Sequence, residues 1–135
     1  MASEPSLEAQ RLAVLQLRAA AEVTALVPSA NIFDRNSRPE VFPCIVLGTG
    51  QTINDGADCI DASEVFLDVH VWTEENTMAE CKQIVGAVRR ALDEYEAERE
   101  SYACFFNFEN AVFLRDPDGL HSHGVVQLRI DVEHL

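Results

Sequence analysis

Two stretches of strict alternation constrain this fold more than any other feature. Over residues 63–73, Val65, Leu67, Val69 and Val71 alternate with Glu64, Phe66, Asp68, His70 and Trp72. Near the other end of the chain, Val126, Leu128, Ile130 and Val132 alternate with Gln127, Arg129, Asp131 and Glu133. A side-chain period of two is that of a β-strand with one face on a core. The second stretch follows Asp116-Pro117-Asp118-Gly119. In a β-turn there, Pro117 presets φ at the second position and Gly119 suits the fourth. Before that turn, residues 102–115 read as a strand or two carrying Phe105, Phe106, Phe108 and Phe113. The last part of the chain therefore reads as a long antiparallel hairpin.

Helical periodicity surrounds these strands. Residues 6–27 read as one amphipathic helix, with Leu12, Leu15, Ala19, Val23 and Leu26 on its apolar face. Pro5 suits its first turn, Ser3 or Ser6 its cap, and Pro28 stops it. A second helix opens at Thr77, where Thr77 and Glu80 have capping-box spacing. Its stripe is Cys81, Ile84, Val85, Val88 and Leu92, and its acidic end frays through Glu94 to Glu98. Between the helices, Asn31-Ile32-Phe33 suits a short strand and Arg35-Asn36-Ser37-Arg38-Pro39 a polar turn. Pro43 leads into the strand Cys44–Leu47, which continues past Gly48 into a polar loop with a turn at Asn54-Asp55-Gly56. This order predicts an α+β fold: an antiparallel or mixed β-sheet with two helices packed on one face and a C-terminal hairpin. Residues 1–135 fit a single domain, which at this length buries roughly 68% of the surface an unfolded chain exposes.

Charge narrows the partners. Asp and Glu number 23 against ten Lys and Arg, a formal charge of −13. Binding nucleic acid by neutralising phosphates needs clustered Lys and Arg, and docking on anionic lipid needs the same. No run approaches the ~18 apolar residues of a membrane span. The start Met-Ala-Ser-Glu-Pro lacks the basic and apolar regions of a secretory signal, so synthesis is expected in the cytoplasm. Cys44, Cys59, Cys81 and Cys104 form no C-x-x-C pair and read as four reduced thiols behaving as small hydrophobes.

The chemistry-bearing residues point to surfaces rather than to catalysis. Asp116, Asp118, His121 and His123 crowd one turn and the strand after it, a set that can be read as metal ligands or as turn geometry. Asp55, Asp58 and Asp61 lie in an acidic loop without the spacing of a calcium loop. Gly48-Thr49-Gly50 falls short of a phosphate-binding fingerprint. No nucleophile is spaced with a base, so no enzyme, cofactor or metal is assigned. From Asp55 to Glu80 there are eight acids and no Lys or Arg, a surface suited to repelling a polyanion or meeting a basic partner. Phe66, His70 and Trp72 occupy the strand face opposite Val65–Val71, and aromatics there favour a subunit contact. Asp55, Asp58, Asp61, Phe66, His70, Trp72, Asp116 and Asp118 are thus the candidate interface residues. The alternative is a small acidic α+β binding module, metal-dependent through His121 and His123.

From about Leu7 to Val132, the order and spacing resemble a known family. The features are the N-terminal helix ending near Leu26-Val27, then Asn31-Ile32-Phe33, the strand Phe42-Pro43-Cys44-Ile45-Val46-Leu47-Gly48, and the strand Val65–Trp72. The helix Ala79–Leu92 and the turn Arg115–His121 complete the series, while Glu94–Glu100 looks like an insertion. Together they resemble the tail-completion, or tail-terminator, proteins of long-tailed bacteriophages, prophages and gene transfer agents. The resemblance implies a non-enzymatic virion protein that forms a ring, typically a hexamer, at the head-proximal end of the tail. Its implied partners are further copies of itself, the tail tube protein and the head–tail connector or stopper. DNA passes through the lumen without specific binding, and no membrane is involved. The acidity is compatible with a lumen that repels phosphates.

Overall fold

The computed structural model describes residues 4–34, 39–75 and 77–135. The elements are α1 (Pro5–Ala19), α2 (Ala21–Thr24), a 3₁₀ turn (Ser29–Asn31), β1 (Ile32–Phe33), β2 (Cys44–Asn54), β3 (Ala62–Thr73), α3 (Ala79–Leu92), β4 (Glu96–Arg99), β5 (Tyr102–Arg115) and β6 (Ser122–His134). The strands form one sheet in the order β1-β2-β3-β6-β5-β4. Only β1 joins in parallel, so the sheet is mixed. The expected α+β class is what the chain adopts.

Alternation in the strands places the core. Val65, Leu67, Val69 and Val71 of β3 are buried beside Val126, Leu128, Ile130 and Val132 of β6, and α1 and α3 pack over them. The α3 stripe is buried as its spacing predicts, with Ala87 and Ala91 added. Strand β5 runs unbroken from Tyr102 to Arg115, with a register shift between Phe108 and Asn110. The turn after it closes with Gly119 N–H donating to the Asp116 carbonyl at 3.0 Å, and Gly119 takes a φ of 72° that favours glycine.

Several local expectations are corrected. The helix expected over 6–27 breaks at Ala20, whose φ and ψ of −77° and 114° are extended, and only the short α2 follows. Its buried stripe is Glu8, Ala9, Leu12, Ala13 and Leu17, while Leu15, Ala19 and Leu26 are exposed. The alanines decide this, because fully buried Ala9 and Ala13 let the helix lie close on the sheet. The α1 cap is the Glu4 carboxylate, which accepts from the Ser6 N–H at 2.6 Å; Ser3 lies outside the described residues. Likewise the capping box at Thr77 does not form. Glu75 accepts from the Glu80 N–H at 2.9 Å, so the carboxylate at the helix start comes from upstream. The Arg35–Arg38 turn also lies outside the described residues.

The acidic tail of α3 does not fray as helix, and the segment after it is ordered as a strand. Glu94 adopts a φ of 62°, the chain reverses, and β4 pairs with β5. Residues 95–99 alternate: Tyr95 and Ala97 pack on the core while Glu96 and Glu98 point out. Phe106 N–H donates to the Tyr95 carbonyl at 2.8 Å, and the two rings sit 5.4 Å apart. Cys44, Cys81 and Cys104 are buried thiols, but Cys59 is exposed, which corrects the expectation of a small buried hydrophobe for that one. Burial pushes the Cys81 and Cys104 thiols up to about 11.

Candidate assembly surface

The face of the sheet turned away from the helices is organised in cross-strand rows. At one end, Trp72, His123 and Leu114 align, and His70, Val125 and Val112 form the next row. Then come Asp68, Gln127 and Asn110, followed by Phe66, Arg129 and Asn107. Glu64, Asp131 and Phe105 form the next row, and Ala62, Glu133 and Ala103 the one after it. Val112 and Leu114 are 45% and 47% exposed, so the apolar end carries uncovered aliphatic side chains. The other end is acidic. A shallow groove of about 320 Å³ runs along it past Asp55, Glu96, Phe105, Asp131 and Glu133.

The apolar end is built around two imidazoles. His70 Nδ1 and His123 Nε2 lie 2.7 Å apart, so one ring donates to the other. Trp72 stacks on His123 with centroids 3.8 Å apart and planes 9° from parallel. Burial lowers both histidines' affinity for protons, with Asp68 opposing at His70. His123 falls to about 4, through burial and then the His70 charge. Both are therefore neutral at pH 7 and can keep one shared hydrogen bond. Gly48 makes room for this pair, since a Cβ there would overlap the His70 ring.

The turn beside it has the opposite electrostatics. His121 Nδ1 lies 2.5 Å from Asp118 Oδ2 and its Nε2 3.3 Å from Glu74. Phe42 covers the ring with centroids 4.4 Å apart. The Asp118 carboxyl is held down to about 2, first by the Leu120 N–H and also by His121. His121 is raised above the ordinary histidine range, first by its bond to Asp118. Asp116, Asp118 and His121 offer ligand atoms within 4.8 Å of one another. A cation there would have to displace the His121–Asp118 bond. His121 and His123 do not form a shared ligand set, because His123 is stacked on Trp72 and bonded to His70.

The structure thus brings Phe66, His70 and Trp72 together on the open face. It places the other candidates at opposite ends of β3. Asp55, Asp58 and Asp61 are exposed in the β2–β3 connection, where Asp55 N–H donates to the Ala62 carbonyl at 2.9 Å. Asp116 and Asp118 lie in the β5–β6 turn at the other end. Sequence reading missed Val112, Leu114 and Phe105 as open-face residues, since the β5 register shift changes which residues share a face. It also missed the buried carboxylate of Glu8, which Arg99 and Arg11 approach at 3.1 and 3.3 Å.

Known proteins share this fold. A chain from the virion of a native gene transfer agent particle superposes with a TM-score of 0.83 at 21% identity, covering 92% of this chain and 93% of that one. The gp17 protein of bacteriophage SPP1 gives 0.57 at 24% identity, covering 90% of this chain and 86% of that one. At these identities the likeness is one of fold. No curated protein sequence matches the chain. The family model for tail completion protein gp17 matches residues 13–133. The chain belongs to the tail completion protein gp17 family, structural components of virion tails rather than enzymes.

Proposed function

We propose that the 135 residues act as one tail-terminator domain that closes into a ring, a hexamer, at the head-proximal end of the tail. The ring stops growth of the tail tube and joins the tail to the head connector, and DNA passes through it. The observation that carries this reading is the sheet's uncovered face. In a family of tail components, a face with Trp72, Val112 and Leu114 at one end and carboxylates at the other suits contacts between subunits.

Two further features support it. The Asp55–Asp61 and Asp116–Gly119 turns sit at opposite ends of β3, roughly 37 Å apart at the usual rise per strand residue. Loops held apart in this way can meet two different neighbours, one the tube and the other the connector. The charge of −13 per copy supports free passage of DNA, since an acidic lumen repels phosphates.

Light scattering over a concentration series, followed by negative-stain imaging, tests the proposal. Six-membered rings with a central hole, in solution or on purified tail tubes, are the expected result. A compact dimer, or a monomer that fails to bind tube protein, overturns it.

A further inference from the structure

Among the described residues the helices cover one face of the sheet only, and the outer side of α1 is bare. Leu7, Arg11, Leu15 and Arg18 fall within about a quarter of the helix circumference, opposite buried Ala9, Leu12, Ala13 and Leu17. All four are exposed, Leu15 at 52%. Arg11 meets Glu8 at 3.3 Å, whereas Arg18 donates to the Ile32 carbonyl at 3.0 Å and pairs with no carboxylate among the described residues. A leucine between two arginines is thus turned to solvent on a chain of net charge −13.

The bare sheet face is its complement. Val112 and Leu114 are exposed at the apolar end, and the row after Val112 and His70 contains Asp68. Asp68 lies in a groove of about 430 Å³ with Glu64, Phe66 and Glu109. It accepts from the Thr49 hydroxyl at 3.1 Å, and among the described residues neither it nor Glu64 forms an ion pair with Lys or Arg. Arg129, which also lines the groove, is held by Glu109 at 3.3 Å and Asp131 at 3.7 Å. The spacings agree as well. Arg11 and Arg18 stand about 6 and 5 Å along the helix axis from Leu15. Adjacent rows on one face of a sheet are about 7 Å apart.

We infer that α1 of one copy packs its outer side onto the bare sheet face of the next, with Leu15 on Val112 and Leu114 and an arginine one turn away over Asp68. This rests on the ring reading and names the surfaces that close it. Contact between two different surfaces is head-to-tail, which is the contact type that generates rings. Covering Leu15, Val112 and Leu114 removes apolar area from water, and the arginine sets the orientation because its planar donors suit a carboxylate. A second copy is the occupant because both halves of the contact are on this chain, opposite in charge and alike in spacing. Two sheet faces together, or two α1 stripes together, would set like charges against each other.

Cross-linking tests the contact directly. In a background with exposed Cys59 changed to Ser, Leu15→Cys and Val112→Cys are made singly and together; the other cysteines are buried. With a short bismaleimide, the double variant should give a ladder of covalent oligomers up to the full ring on a denaturing gel. Each single variant should stay monomeric there. Leu15→Glu sets a carboxylate against an acidic face and should raise the concentration needed for rings roughly tenfold or more, Leu15→Lys much less. Both positions are exposed, so the variants are expected to fold as judged by circular dichroism. If the wild type assembles only on tail tubes, the same variants are scored there. Rings whose double variant gives no ladder, or that tolerate Leu15→Glu as well as Leu15→Lys, overturn the contact and leave the ring reading standing. Linkage within a single variant shows like surfaces meeting and also overturns it. A wild type that forms no ring alone or on tubes overturns both.

Discussion

Strands β3 and β6 present two faces made by the same backbone. On the helix side, Val65, Leu67, Val69, Val126 and Leu128 are at most 2% exposed. On the other side the same strands carry Phe66, His70, Trp72, His123 and Arg129, all half-buried, with exposed Val112 and Leu114 alongside on β5. The first face is specified by apolar volume. The second combines apolar rings, a hydrogen-bonded imidazole pair and fixed charge, and among the described residues no helix covers it. The difference separates residues that hold the fold from residues available to a partner.

The largest effect should come from the covered face. Phe106 is fully buried against Tyr95, so Phe106→Ala should cost about 3–5 kcal/mol in chemical denaturation. An equal loss from Val112→Ser would break the comparison, because exposed positions normally change stability by no more than about 0.5 kcal/mol. Gly48→Ala should show where the two faces become alike. It displaces the His70 ring from a packed position and should cost about 1–3 kcal/mol, with loss of the His70–His123 bond visible in imidazole NMR.

Arg99→Ala removes one of the cations beside buried Glu8. With Arg11 remaining, the loss should be about 1–2 kcal/mol by denaturation, below the 3–5 kcal/mol of a wholly stranded buried charge.

The histidines sharpen the contrast through pH. His123 has a folded value depressed to about 4, so it prefers the neutral form. Its contribution is present above the ordinary value of about 6.5 and is lost as pH falls from there through about 4. His121 is raised, so its contribution is present below about 6.5 and is lost as pH rises through its folded value. Stability curves of His123→Phe should flatten on the acid side, and those of His121→Asn on the neutral side. A single common slope change would show that the two sites are not independent. The smallest effect on folding should accompany the clearest effect on assembly. Val112→Glu should change the denaturation midpoint very little, within about 0.5 kcal/mol, yet reduce ring formation measured by light scattering.

Much of the fold was legible. The β3 and β6 alternation, the α3 stripe and the Asp116–Gly119 turn all appear where local pattern puts them. The misreadings have specific causes. Leucines drew the α1 stripe to the wrong side, where alanines were marking close approach. Glu96 and Glu98 disguised β4, although they alternate with Tyr95 and Ala97 as a strand should. The candidate surface was legible only as far as Phe66, His70 and Trp72, which lie on one strand.

The amino-acid order by itself determined which side of β3 and β6 faces the core, because a strand's side-chain period is two whatever its neighbours. It also determined the acidity and the strong turn. Only the tertiary structure decided what meets across the sheet: His70 with His123, fifty-three residues apart, and Glu8 with Arg99. Local pattern orients a side chain about its own strand or helix. Which strands become neighbours, and in what register, is settled by the burial and hydrogen bonding of the whole sheet together.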